Sequence, residues 1–220
     1  MSARTLRTRR HLRTIGRDQG GLALLEFALS LPLLLTLSLV GAELTNYITS
    51  RMRISQIALH LADNAARIGS GSQLQAKTIN EADINDLLTG AGLQSGELDL
   101  FRNGRVIISS LEPDPANSGK NRIRWQRCRG NKTSQTSSYG NAGATNLNGM
   151  GKTGRLATAP SDGVTMYVEV YYEYQPLFRA ALAPNTSFRE EASMMVRDRR
   201  DTVGGTNGVY QVSGESASSC

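Results

Sequence analysis

The chain has 220 residues, 39% of them hydrophobic, and a formal net charge of +6, which suits one compact domain plus a membrane segment, or at most two small domains. Residues 1–21 hold Arg4, Arg7, Arg9, Arg10, Arg13 and Arg17 against Asp18 alone, a local charge of +5 that leaves +1 for residues 22–220. A nucleic-acid-binding surface spreads its basic residues over a folded face, so nucleic acid is excluded as a partner and the arginines read as the cytoplasmic flank of a membrane segment.

Leu22–Ala42, LALLEFALSLPLLLTLSLVGA, follows that flank and carries one charge, Glu26. As a helix it spans about 31 Å, close to the hydrocarbon thickness of a bilayer. A soluble helix this apolar on every side is out of place in a small domain. The predicted organisation is a basic cytoplasmic leader over 1–21, a transmembrane helix over 22–42 and a periplasmic domain over 43–220. Arg51 and Arg53 weaken the charge asymmetry without cancelling it. Glu26 lies one turn inside the segment, where snorkelling reduces the insertion cost of about 2.5–3.5 kcal/mol that a charge has at mid-bilayer. It reads either as a tolerated near-interface acid or as the partner of a positive charge, for which a free α-amino group is a candidate. Pro32 interrupts the helical hydrogen bonds. Val40-Gly41-Ala42 fits the small-x-small rule of a signal peptidase, and cleavage there would release a soluble periplasmic protein.

Beyond the membrane, Ile54, Ile57, Ala58, Leu61, Ala62, Ala65 and Ile68 form an apolar stripe at helical spacing, with Arg53, Gln56, His60, Asp63, Asn64 and Arg67 opposite and Gly69 and Gly71 as terminators. Thr78-Ile79-Asn80-Glu81 fits a capping box, which predicts a short helix from Ile79 to Leu88 closed by Gly90. Asn103-Gly104 between Glu97–Arg102 and Arg105–Ser110 predicts a hairpin with a type I′ turn. Further strands are expected over Ile123–Cys128, anchored by Trp125, and over Val164–Tyr174. Alternation of Phe188, Ala192, Met194 and Val196 suggests a last strand, with a helix as the alternative, and Pro176 and Pro184 mark the turn before it. The Gly-, Ser-, Asn- and Thr-rich stretch 130–163 reads as a mobile surface loop or as a contact surface for a partner subunit.

Cys128 and Cys220 are too far apart for a CxxC pair and too few for a zinc site. They pair if the domain lies outside the cytoplasm and otherwise remain two free thiols. Gly149-Met150-Gly151-Lys152-Thr153-Gly154 matches GxGxxG, but it lacks the preceding strand and following helix of a dinucleotide site. His60 stands alone beyond the leader, so no nucleophile has an obvious base. Glu190-Glu191 and Glu112-Pro113-Asp114 lack the ligand order of a calcium loop. The expectation is a non-enzyme with no cofactor and no metal.

Gly21-Leu22-Ala23-Leu24-Leu25-Glu26-Phe27 resembles the processing site of type IVb prepilins. The wider run, with Ala28, Pro32, Gly41 and Glu43, resembles the TadE-like pseudopilins of the Tad (Flp) pilus system, and the late stretches MYVEVYYEYQPL and MMVRDRRD add to the likeness. The resemblance implies a pilin-like α+β fold, in which a long membrane-spanning and then amphipathic N-terminal helix packs on an antiparallel sheet. It implies cleavage after Gly21 by a prepilin peptidase, a new amino terminus at Leu22, and neutralisation of that charge by Glu26 of a neighbour, with Phe27 completing the motif. The implied partners are the prepilin peptidase, other pilin or pseudopilin subunits, the Tad inner-membrane machinery and the lipid bilayer. The implied role is support of pilus assembly, for adherence or secretion, from a single-pass position in the bacterial inner membrane. An uncleaved membrane-anchored scaffold or binding protein keeps the same topology and retains the arginines.

Overall fold

A computed structural model describes residues 20–72, 75–178 and 184–220; the basic leader lies outside them except for its last two positions. The chain divides into one unit that ends at Thr45 and another that runs Asn46–Cys220. The class is α+β, with a long N-terminal helix and a four-stranded antiparallel sheet.

Helix α1 runs Gly20–Arg67 without a break, Pro32 included. Its early hydroxyls bond back along the helix, Ser30 Oγ to the Phe27 carbonyl at 3.3 Å and Thr36 Oγ1 to the Pro32 carbonyl at 2.7 Å. Such bonds satisfy a polar side chain where no water is at hand.

In the second unit, the predicted stripe Ile54, Ile57, Ala58, Leu61, Ala62 and Ala65 is buried, while Arg53, Gln56, His60 and Arg67 stay exposed. The buried residues share a core with Val106, Ile108, Trp125, Met166, Val168, Val170 and Tyr172. Each large aliphatic side chain buried this way stabilises the fold by about 1.5–3 kcal/mol.

The core strands are β2 (Gly104–Pro113), β3 (Asn121–Arg129), β4 (Thr165–Glu173) and β5 (Ser187–Met195), in the order β3-β2-β4-β5, with every pair antiparallel. The segment holding Phe188, Ala192 and Met194 is thus a strand and not a helix, and it ends at Met195, one residue before Val196. A bulge between Ser110 and Leu111 makes the register skip from Trp125 to Ile123. An extra residue reverses which face the side chains take, so Trp125 joins the helix-side core while Ile123 joins a second cluster with Leu111, Met150 and Tyr167.

That second cluster corrects the reading of 130–163 as a mobile loop. Tyr139, Ala144, Leu147, Ala157 and Ala159 pack onto it, and Met150 is fully buried. The segment covers the sheet face away from the helix core, and its apolar residues are too widely spaced to announce this as a period. Its glycine motif shapes a turn: Met150 and Ala157 exchange backbone hydrogen bonds at 2.9 and 2.7 Å. A Cβ on Gly149 or Gly151 would lie 2.5 Å from the carbonyl oxygen of Ala157 or Arg155 respectively.

Two further expectations fail locally. The helix expected from Ile79 is α2, Glu81–Ser95, with Asn80 as N-cap; Asn80 and Asp83 form the capping box in place of Thr78 and Glu81. Ile79 and Asn80 form the short strand β1, which pairs in parallel with β6 (Val209–Tyr210). Ile79 is buried in that pairing, so the helix starts two residues later, and it passes Gly90 to end at Gly96. The hairpin around Asn103-Gly104 is also absent. A 3₁₀ turn over Gly96–Leu98 and a helical turn, α3 (Leu100–Asn103), lead into β2. Consecutive residues Leu100 and Phe101 both join the core, which strand alternation forbids and a helical turn allows. The hairpin that does form joins β2 to β3, and Asp114 accepts from the Ala116 N–H at 3.0 Å and from Asn117 Nδ2 at 2.8 Å in its turn.

Candidate functional site

The first candidate is the apolar part of α1. An 18-residue window has a mean hydropathy of 2.1 and none of it is buried. Leu24, Leu33 and Leu37 are each more than 70% exposed. A helix bare on all sides and this apolar is long enough to cross a membrane. This stretch also places the residues of the predicted processing site. Gly21 and Leu22 lie in the first turns of α1, and Glu26 follows Leu22 by four residues, one helical turn and about 6 Å along the axis. Leu22 and Phe27 are 57% and 60% exposed, and Glu26 is exposed beside them. Among the described residues no cation pairs with Glu26. A Cβ on Gly21 would meet nothing within 4 Å, so neither packing nor backbone conformation calls for glycine there, although glycine inside a helix costs about 0.5–1 kcal/mol relative to alanine. Glu43 is buried.

The second candidate is a polar layer between the sheet and residues 136–140. Glu169 and Arg189, on adjacent strands, pair at 2.8 Å. Glu169 also accepts from the Ser138 N–H at 3.0 Å, and Arg189 donates to the Thr136 carbonyl at 2.9 Å. Tyr139 and Tyr167 both donate to Glu191, at 2.8 and 2.9 Å. Burial, and then the bond to Glu191, push the Tyr139 hydroxyl up to about 12 and the Tyr167 hydroxyl higher still. Both phenols therefore stay protonated as donors, and the layer acts as a clasp on the loop. The signal for it in the sequence was Glu169, a charge inside the otherwise apolar strand MYVEVYY.

The predicted disulfide is present between Cys128 and Cys220. It fastens the C-terminal stretch to β3, where the Cys128 N–H also donates to the Ser218 carbonyl at 2.7 Å. On the opposite sheet face, Arg127 makes a two-pronged ion pair with buried Glu81 in the first turn of α2, a site where a carboxylate also favours the helix dipole.

The chain matches no family model, no curated protein and no solved structure. Its functional reading rests on these residues alone.

Proposed function

We propose that this chain is a TadE-like pseudopilin, a membrane-anchored subunit that supports assembly of a Tad (Flp-type) pilus for adherence or secretion. The observation that carries the reading is Glu26: the single charge of Leu22–Ala42, exposed on an unburied apolar helix, without a cation partner among the described residues, and one turn from Leu22. A carboxylate placed there in a bilayer calls for a partner, and cleavage after Gly21 creates one, the α-amino group of Leu22. Gly21 supports the same reading, because the fold gives no reason for it while a peptidase that needs a small residue does. The arginines of 1–21 hold the leader in the cytoplasm, which leaves the disulfide-bonded domain in the oxidising periplasm. The chain then needs no catalytic group. Its mechanism is lateral packing of helices, with Glu26 and the new amino terminus of a neighbour setting the register.

One observation favours a second reading. The unit that begins at Asn46 is compact in itself, and it starts close behind Val40-Gly41-Ala42. A signal peptidase cutting after Ala42 would release it. Intact-mass and N-terminal mapping of the protein from its native host decides the matter. A start at Leu22 is expected. A start at Glu43 supports release, and a retained Met1 supports an uncleaved envelope scaffold; either result removes the pseudopilin assignment.

A further inference from the structure

The sequence holds three Asn-Gly pairs, Asn103-Gly104, Asn148-Gly149 and Asn207-Gly208, and the fold treats them differently. Asparagine is a thermolabile residue, because the backbone nitrogen that follows it can attack its carboxamide, and glycine in the next place leaves that nitrogen unhindered. At the first pair, Asn103 Nδ2 donates to the Leu98 carbonyl at 3.0 Å, and Gly104 is buried at the start of β2. At the last pair, Gly208 is buried and its N–H donates to the Gly204 carbonyl at 2.9 Å. Neither pair leaves both reacting groups free.

Asn148-Gly149 is open. Asn148 is exposed, in a bend between the bridges Asn121–Leu147 and Met150–Ala157. Among the described residues the Gly149 N–H donates to no backbone carbonyl. The Asn148 carboxamide oxygen accepts from Nζ of Lys120 at 2.5 Å. Lys77 and Lys132 pair with acids, whereas among the described residues no carboxylate pairs with Lys120. An ammonium on that oxygen draws electron density from the carbon under attack and stabilises the negative oxygen that forms there, the role of an oxyanion hole.

From this geometry we infer that Asn148 is a site of self-modification, with Lys120 stabilising the oxyanion. Rotation about two single bonds of Asn148 brings its Cγ to the Gly149 nitrogen, and a bond forms between them. The Cγ–Nδ2 bond breaks, and ammonia leaves with the proton that the Gly149 nitrogen gives up. Water from the surrounding solvent opens the resulting succinimide at either carbonyl, which leaves aspartate or isoaspartate at 148. Both products add a negative charge beside Lys120. Isoaspartate also adds a main-chain carbon between Leu147 and Met150, whose bridges help to hold the 130–163 segment. The site is independent of the pilus reading, since it lies wholly within the Asn46–Cys220 unit and uses no residue of the membrane helix.

The test is peptide mapping by mass spectrometry of the full chain in detergent, held at 37 °C and pH 8 and sampled over days. In the folded wild type, the peptide that holds Asn148 is expected to gain the mass difference between amide and acid, after a minor species lighter by one ammonia. The peptides that hold Asn103 and Asn207 should change many times more slowly. In urea-unfolded protein all three should react at similar rates, since the fold is what separates them. Lys120→Met should slow the reaction at 148 several-fold, and Lys120→Arg should keep most of it. No reaction at 148 in the folded protein, or one no faster than at 103 and 207, would overturn the site. An unchanged rate in Lys120→Met would remove the lysine's part in it. A stable loss of ammonia with Lys120 joined to Asn148 would also overturn it, because the lysine would then be the nucleophile.

Discussion

Nη2 of Arg200 lies 2.9 Å from the carbonyl oxygen of Ile68 and 3.1 Å from that of Ala65, so one guanidinium closes the C-terminal end of α1. The last carbonyls of a helix have no partner within it, and a cation there also meets the negative end of the helix dipole. Burial draws the Arg200 pKa down to about 10, which still leaves it charged at neutral pH. Arg200→Ala is expected to destabilise the Asn46–Cys220 unit by about 2 kcal/mol. Arg200→Lys should restore part of the loss, since an ammonium supplies the charge but not the fork. Chemical denaturation of both variants checks this, and an alanine variant as stable as the wild type would remove the capping role.

Met150 ties the 130–163 segment to the sheet. It is fully buried against Leu111, Ile123 and Tyr167. Met150→Ala should lower stability by about 2–4 kcal/mol, in the range of large-to-small core substitutions. It should also open the segment to limited proteolysis while the helix-side core remains protected. If cleavage within 130–163 is as fast in the wild type as in the variant, the segment is not held by this cluster.

These two elements differ in how far the sequence announced them. The stripe Ile54–Ala65 was legible because its apolar residues recur at the helical period, and the strand Thr165–Glu173 because a run rich in Val and Tyr, buried along most of its length, favours a strand by composition. Residues 130–163 were not, because Tyr139, Leu147, Met150 and Ala157 reach the sheet one at a time from an irregular backbone. Asn103-Gly104 misled for a different reason: a strong local turn preference yielded to the burial of Leu100 and Phe101. Thr78 and Asn80 both open a capping box, and only the distant pairing of Ile79 with Val209 chooses between them. The disulfide was legible from the cysteine count.

Asp114 links two loops and gives the domain an acid-sensitive joint. The Asn117 side chain, followed by the Asn146 N–H at 2.8 Å, stabilises its ionised form and holds its carboxyl below the ordinary aspartate range. A depressed carboxyl pKa contributes stability that is present above the unfolded value and lost as pH falls through the folded one. The stability difference between wild type and Asp114→Ala should therefore be full at pH 6 and shrink below about pH 4. A difference that stays constant from pH 6 to pH 2 would show that the carboxylate's charge plays no part.

The Cys128–Cys220 bridge closes a loop with a sequence separation of 92. In the chain-entropy model such a crosslink stabilises by about 4–5 kcal/mol. Non-reducing peptide mapping should recover the linked pair from protein made in the periplasm. The double variant Cys128→Ala/Cys220→Ala should unfold at a lower midpoint and release the stretch after Val212 to proteases. Free thiols in native protein would remove the bridge from the periplasmic account of this domain.

Glu26→Gln separates insertion from assembly. Glutamine keeps the size and polarity of the side chain but removes its charge, so insertion into the bilayer should be unimpaired or slightly easier. If Glu26 neutralises the amino terminus of a neighbouring subunit, the variant leaves that cation unpaired in a medium of low dielectric constant, where charge pairing is strong. Association with partner subunits should then fall by about tenfold or more, equivalent to about 1.4 kcal/mol, while the level of membrane-inserted protein stays unchanged. Crosslinking between neighbouring helices in intact cells reads the first quantity, and carbonate-resistant membrane protein reads the second. Wild-type crosslinking and pilus assembly in Glu26→Gln would show that the carboxylate is only a tolerated acid near the interface. Loss of insertion would place its role in the single helix and not between subunits.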